Sequence, residues 1–480
     1  MTGQHFPLMI PGATCEGANI EVMAPYDGKS LATVETTDSK AADVAMTTAN
    51  RLYKERSKWL PTDQRIHILE RTAAIMSEQA EALALGCAQE GGKPLLDSRV
   101  EVVRAIEGVK LCAEGLRTQA GKEIPMRLNA ASMHRLAFTH FEPIGPVVAV
   151  SAFNHPLNLI VHQVGPAVAA GCPIVVKPAN DTALSCLRFV NILQEAGLPK
   201  EWCQVAVTEG REVAEQLVTD QRVNFFSFIG SAKVGWHLRS KLSPGTRCAL
   251  EHGGVAPVIV APDADLEDVV PLLVKGGFYH AGQVCVSVQR IFVHDAIAKD
   301  FSQRFANAAE NLVVGDPKNE TTDVGPLIRN SEVDRIEEWI ADARSGGAQL
   351  LAGGKRISNS CYSCTVLYDP PSDAIISRNE VFGPVVCIYP YSKLDDAISQ
   401  ANDLPYAFQA AVCTQDINTA LRCYQKLDAS AVMVNDHTAF RVDWMPFSGL
   451  RESGHGIGGI HHTLHEMQFE KMMVIRSNEL

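Results

Sequence analysis

The sequence predicts a two-lobed α/β protein: a doubly wound parallel sheet, a second α/β lobe after it, and a small β extension outside both. Three observations carry this reading. The chain has 480 residues, 46% of them hydrophobic, which is too long for one small core and too apolar for disorder. Between Pro146 and Val260 short β-branched runs alternate with helical stretches, a texture that implies right-handed crossovers between parallel strands. A second alternating region runs from about 254 to 454.

Taken in order, residues from Glu21 to about Arg117 read as mostly helical, as over 62–85, where apolar side chains recur three and four apart between charged ones. Strands follow at 147–151, 174–177, 204–207, 223–228 and 257–260, separated by helices near 157–170, 183–196, 213–218 and 232–242. Ligands of such sheets sit at the carboxyl ends of the strands. The second region carries helices at 266–278, 301–312 and 332–345. Residues 118–141 and the last dozen read as paired strands outside both lobes, and their exposed edges call for a partner subunit.

The net charge of −12 is spread along the chain, which argues against nucleic acid or an anionic membrane and for a small-molecule partner. The stretch from Met1 to Pro11 lacks the basic start of a signal peptide. The longest apolar run, 164–176, is interrupted by Gly and Pro and too short to span a bilayer. A cytoplasmic location is expected. Thirteen cysteines without framework spacing suit reduced thiols. Cys361 with Cys364, and His461, His462 and His465, lack the second half of a metal-ligand set and read as ordinary loop and surface residues, so no metal is expected.

Three residues point to chemistry. Cys285 lies in the turn Gly282-Gln283-Val284-Cys285, and a thiolate attacks carbonyl carbon readily near neutral pH. Glu251 closes a parallel strand just before Gly253-Gly254, where a general base able to activate water would be mounted. Asn154, in Phe153-Asn154-His155-Pro156, interrupts a strand-to-helix junction, and its amide with the Cys285 backbone N–H could hold an oxyanion. Singly, each also fits a bland role: an inert thiol, an exposed strand-end carboxylate, an amide satisfying its own turn.

Together with their surroundings these residues resemble the aldehyde dehydrogenase superfamily over nearly the whole chain. The ordered signatures are F-N-H-P with Asn154, V-V-K-P with Lys177, I-G-S-A-K-V-G with Gly230 and Gly235, L-E-H-G-G with Glu251, G-Q-V-C with Cys285, E-V-F-G-P with Glu380 and Phe382, and P-F-S-G followed by Ser453-Gly454. Glu251 and Cys285 stand 34 positions apart, the family's usual spacing. The resemblance implies an NAD(P)-binding domain over 1–118 and 142–253, a catalytic domain over 254–454, and oligomerisation strands at 119–141 and 467–480 of a homodimer or homotetramer. It implies that Ser151, Phe153, Lys177, Asn180, Gly210, Gly230, Ser231, Gly235, Glu380 and Phe382 bind NAD or NADP. Lys177 would meet the adenosine ribose, the amides after Gly230 and Ser231 the pyrophosphate, and Glu380 the nicotinamide ribose. Asn180 departs from the glutamate often found there, which admits NADP beside NAD. Gly454-His455-Gly456-Ile457-Gly458-Gly459 matches G-x-G-x-x-G but follows no strand of a βαβ unit, so it is not read as the cofactor site.

The implied reaction is oxidation of an aldehyde to the acid: Cys285 adds to the carbonyl, Asn154 and a backbone amide hold the oxyanion, the cofactor supplies the redox chemistry, and Glu251 activates the water that hydrolyses the thioester. Two other readings stay open, an acylating enzyme that passes the acyl group to coenzyme A and a cofactor-binding protein without turnover. For the substrate, His155, Asn158 and His162 make one tunnel wall polar. Arg104 and Arg441 resemble substrate arginines of the lactaldehyde and non-phosphorylating glyceraldehyde-3-phosphate dehydrogenase branch, which points to a short polar or anionic aldehyde. Val284 departs from the arginine some triose-phosphate enzymes carry beside the nucleophile. The alternative is that Arg104 and Arg441 pair with Glu101 and Asp443 and only brace the tunnel mouth.

Overall fold

A computed structural model describes residues 4–14 and 16–480; the first three residues of the N-terminal stretch and Cys15 lie outside the described residues. The alternating region forms a six-stranded sheet in the order Gly454–His455, Arg247–Glu251, Phe225–Ile229, Val147–Val150, Ile174–Lys177, Cys203–Val205. All neighbours are parallel except the first pair. Alternate residues explain why both faces are covered: Val147, Ala149, Ile174 and Val176 enter one apolar core, and Val148 and Val175 enter another on the opposite face. A β-branched strand buried on both sides has no polar face to show.

Val147–Val150 is the first strand of this sheet in the chain; the next two are laid down on one side of it, and Phe225–Ile229 returns to its other side. The strand order therefore reverses between Val147–Val150 and Phe225–Ile229, which opens a crevice at their carboxyl ends. Ser151 to Asn154 follow the first of these strands, Gly230 and Ser231 the second, and Glu251 ends the adjacent one.

The second lobe is a seven-stranded sheet, Gln349–Ala352, Thr365–Tyr368, Val385–Tyr391, Arg290–His294, Pro257–Val260, Gln409–Cys413, Ala431–Val434, parallel apart from its first edge. The strand at 257–260 thus belongs here and not to the first sheet, because Val258 and Ile259 pair with Ile291 and Phe292. Outside both lobes, Gln468–Arg476 pairs antiparallel along the whole of Arg135–Pro143, which also holds Glu123–Ile124.

Two readings need correction. The segment from Glu21 opens on strands, Asn19–Met23 and Ser30–Glu35, which join Gln4–Phe6 in a small sheet; helix begins at Ser39, and 62–85 is two helices parted at Gln79. Strands this short and half exposed leave no alternation long enough to read. Cys361 and Cys364 are buried rather than at the surface. The twelve described cysteines are unpaired, and among the described residues no helix is long and apolar enough to cross a membrane.

Candidate active site

One cavity of about 660 Å³ opens at the switch point, between the two lobes. Its walls include Asn154, Glu251, Cys285, Ser151, Phe153, Lys177, Asn180, Gly210, Gly230, Ser231, Glu380, Phe382, Arg104, His155 and Arg441. Every candidate site residue is therefore on the wall except Gly235, which packs beneath it: a side chain there would enter the His252 ring.

Cys285 follows the helix Leu266–Phe278 and a tight turn in which His280, Ala281 and Gly282 all have positive φ. Gly282 has φ 68° and abuts the Gly383 carbonyl, so a side chain has neither conformation nor room there. The sulfur sits among Val284, Val286, Phe408 and Phe447. Burial pushes its thiol up to about 12, with Glu380 and Glu251 adding to the effect and Arg441 opposing it. The resting group is a thiol, so a base must take its proton before attack.

Asn154 spends none of its amide on its own turn. Its Nδ2 donates to the Gln283 carbonyl at 2.9 Å, which leaves the second N–H of that amide free. Glu251 ends its strand beside the strand Gly454–His455; burial raises its pKa and Arg441 lowers it. A side chain at Gly458 would occupy the space of the Glu251 carboxylate, so the glycine-rich segment rejected as a nucleotide loop serves here as close backing for Glu251. Glu380 lies over Gly253 and Gly254, accepts from Gly254 N at 3.3 Å, and is pushed up to about 8 by burial. Phe382 meets Phe153 edge to face at 5.8 Å.

The opposite end is polar. Arg104 is engaged by Asp443 through two bonds, Nη2 to Oδ1 at 2.8 Å and Nε to Oδ2 at 3.1 Å. Glu101 is not its partner: it holds Lys93 and accepts from the Leu157 and Asn158 amides at 2.9 and 3.0 Å, fixing the start of the helix Asn158–Ala170. Arg441 has no carboxylate within ion-pair distance among the described residues. Its guanidinium lies 3.5 Å over the Phe447 ring and 3.5 Å from His162 Nδ1, and its buried Nε has no partner. His155 Nε2 lies 3.3 Å from the Tyr279 hydroxyl. Burial, then the nearby Lys93 and Arg104, hold His155 well below the usual histidine range, so it is neutral at pH 7.

Sequence reasoning missed Gln283, Tyr279, Phe447 and the role of Glu101. The first and third stood inside motifs already noted, and their signal was available. Tyr279 and Glu101 carry no local signature.

A model of the aldehyde dehydrogenase family matches residues 13–473. The chain belongs to the aldehyde dehydrogenase family. It is 37% identical over 456 residues to the 3-sulfolactaldehyde dehydrogenase of Priestia aryabhattai, covering 95% of this chain and 94% of that one. Among solved structures it resembles aldehyde dehydrogenase 21 of Physcomitrella patens in complex with the reaction product succinate, with a TM-score of 0.94, 32% identity and 99% coverage of both chains. It also resembles the glyceraldehyde-3-phosphate dehydrogenase of Methanocaldococcus jannaschii complexed with NADP, with a TM-score of 0.91, 36% identity, and coverage of 96% of this chain and all of that one. This aldehyde dehydrogenase is thus an NAD(P)-dependent enzyme.

The wall fits that cofactor. Ser151 Oγ is buried and has no partner among the described residues, and the helix Ala232–Arg239 starts at Ser231 with no side-chain cap, which leaves first-turn amides free for an anion. Among the described residues Lys177 bonds only the neutral Asn180 Oδ1, at 3.1 Å. Burial pulls it down to about 8, against the pull of Asp181, so it is still largely charged at pH 7 and an anion beside it would hold that charge more firmly.

Proposed function

We propose that this enzyme oxidises a short, polar or anionic aldehyde to the carboxylate through a covalent intermediate on Cys285. One observation carries the substrate class: Arg441 is a cation in the cavity wall with a buried Nε and no carboxylate partner among the described residues. A desolvated guanidinium with unfilled donors favours a ligand that brings a negative charge or strong acceptors. The polar wall of His155, Asn158 and His162 supports the same class, and so do the relatives named for sulfolactaldehyde and for lactaldehyde.

The mechanism follows from the chain's own groups. Glu251 takes the Cys285 proton, directly or through water, as sulfur adds to the aldehyde carbon. The free N–H of Asn154 and the backbone N–H of Cys285 hold the resulting oxyanion. Ser151, Lys177, Asn180, Gly210, Gly230, Ser231 and Glu380 would hold NAD(P), which would supply the two-electron oxidation, as hydride acceptor, between the Cys285 adduct and the thioester. Glu251 then passes the Cys285 proton to solvent and, as carboxylate again, deprotonates a water that attacks the thioester carbon; the C–S bond breaks, the leaving thiolate takes that proton back from Glu251, and the acid leaves. A carboxylate at that place favours hydrolysis over transfer to coenzyme A and over a silent binding protein.

The strands at 119–141 and 467–480 are proposed to join copies of the chain in the cytoplasm: Met472, Met473 and Val474 lie exposed on the outer strand, an edge that wants cover.

The test is a steady-state screen of lactaldehyde, glyceraldehyde 3-phosphate and succinate semialdehyde against hexanal and benzaldehyde, with and without coenzyme A. The charged or hydroxylated substrates should lead in kcat/KM, and Arg441→Ala should cost them tenfold or more. Apolar aldehydes leading by tenfold would refute the reading. Cys285→Ala should be folded and inactive, and Glu251→Gln should lose steady turnover and also slow the first burst of reduced cofactor, since Glu251 serves both the attack and the hydrolysis.

A further inference from the structure

We infer that Asp443 counts the charge of the substrate, holding the cavity to aldehydes that carry one negative charge in preference to two. This rests on the reading of Arg441 as the anion anchor and goes beyond it.

Asp443 is buried and saturated. Its two oxygens accept from Arg104 Nη2 and Nε at 2.8 and 3.1 Å, from Asn158 Nδ2 at 3.1 Å, and from His162 Nε2 at 2.7 Å. Two consequences follow. The first is that the charge of Arg104 is cancelled inside the wall, with its fork filled. The second concerns His162. A ring nitrogen facing a carboxylate must donate, so Nε2 carries the hydrogen and Nδ1 the lone pair that faces Arg441. His162 is thereby fixed as a neutral acceptor, and burial works in the same direction.

Without Asp443 the same wall would present Arg104, Arg441 and an unlocked His162, a cage for a dianion. With it, Arg441 is the guanidinium at the substrate end that has no carboxylate partner among the described residues. The groups that face Arg441 are Glu251, Cys285, Asp443, Arg104, His162 and Phe447. Its negative neighbours are the catalytic base and the saturated Asp443, and both repel a second substrate charge. Asp443 touches no reacting atom in this scheme; it is a positioning residue that acts through Arg104 and His162.

The experiment compares glycolaldehyde sulfate, a monoanion at every working pH, with glycolaldehyde phosphate, whose second ionisation falls at about pH 6. The readout is the phosphate-to-sulfate ratio of kcat/KM from pH 5.5 to 8. Titrations of Cys285, Glu251, His155 and His162 act on both substrates and cancel in that ratio. For the native enzyme the ratio should fall by tenfold or more as the phosphate becomes a dianion. A ratio that is flat or rises with pH overturns the inference without touching the anion reading. In Asp443→Asn, which frees Arg104 and keeps the shape, the ratio at pH 8 should rise by at least tenfold, and a folded variant with an unchanged ratio also overturns it. If Arg441→Ala leaves both substrates untouched, the anion reading itself fails, and the charge count falls with it. The native pH series stands even where a variant does not fold.

Discussion

The side-chain amide of Asn154 donates to the backbone carbonyl of Gln283 across 2.9 Å, joining the turn after Val147–Val150 in one sheet to the loop that carries Cys285 in the other lobe. The bond fixes the nucleophile's loop with one N–H and leaves the other for the oxyanion. Asn154→Ala should therefore lower kcat by about 10²–10³, the usual cost of a lost oxyanion donor. It should also lower stability by about 1–3 kcal/mol, because the buried Gln283 carbonyl loses its donor. Turnover and urea unfolding of the same preparation check both, and an unchanged kcat would remove Asn154 from the mechanism.

Arg441 should also tune the chemistry it borders. Burial raises both Cys285 and Glu251, and Arg441 is the cation that opposes it in each case. Removing the cation raises both values further. Glu251 must be deprotonated to act and Cys285 must lose its proton, so in Arg441→Met the acidic limb of the rate profile should move to higher pH. Alkylation of Cys285 by iodoacetamide, followed against pH, reports the same shift without substrate. A shift to lower pH would contradict the electrostatics.

Lys93 and Glu101 form an ion pair with both side chains fully buried. Burial pulls Lys93 down and Glu101 pulls it up, and the net shift is upward. A raised lysine value means that its contribution is complete below the unfolded value of about 10.4 and is lost as pH rises through the folded one. At pH 7 the contribution of Lys93 is therefore complete. Glu101→Gln leaves a buried ammonium without its counter-charge and should cost about 3–5 kcal/mol, seen as a lower midpoint in denaturant. Loss under 1 kcal/mol would show that Lys93 finds another partner.

At the adenosine end, Asn180 Oδ1 holds Lys177 Nζ and Asn180 Nδ2 donates to the Thr208 carbonyl at 2.7 Å. The site thus offers a lysine and a neutral amide at position 180, with the nearby Asp181 held by Arg329 and Glu209 elsewhere on the cavity wall, so position 180 itself does not repel a 2′-phosphate. NADP should be used beside NAD, with a kcat/KM ratio of NAD to NADP below about a thousandfold, equivalent to about 4 kcal/mol. Asn180→Glu should lower kcat/KM for NADP by tenfold or more while sparing NAD. Cofactor titrations by intrinsic fluorescence would separate binding from turnover, and equal loss of both cofactors would assign Asn180 a structural role only.

Asn154, Glu251 and Cys285 were legible in the sequence because each sits at a strand end or tight turn at the mouth of a parallel sheet, and they gained weight only together, whereas Lys177 and Gly230 were marked by the resemblance to the family's motifs. The paired strands outside the lobes were legible too, as extended runs with no helix to cover them. The short N-terminal strands were not, since three to six half-exposed residues carry too little periodicity. Tertiary structure alone decided the charge map of the substrate end. Sequence proximity pairs Arg104 with Glu101 on one helix and Arg441 with Asp443 on one loop, yet Glu101 turns to Lys93, and Asp443 reaches Arg104 across 339 positions. The physical reason is that a carboxylate goes to whichever donors the packed faces bring within hydrogen-bonding distance once water is excluded. Which faces pack is settled by the whole core, so which of the two substrate-end arginines is left without a carboxylate among the described residues, Arg441, emerges only when the chain is folded.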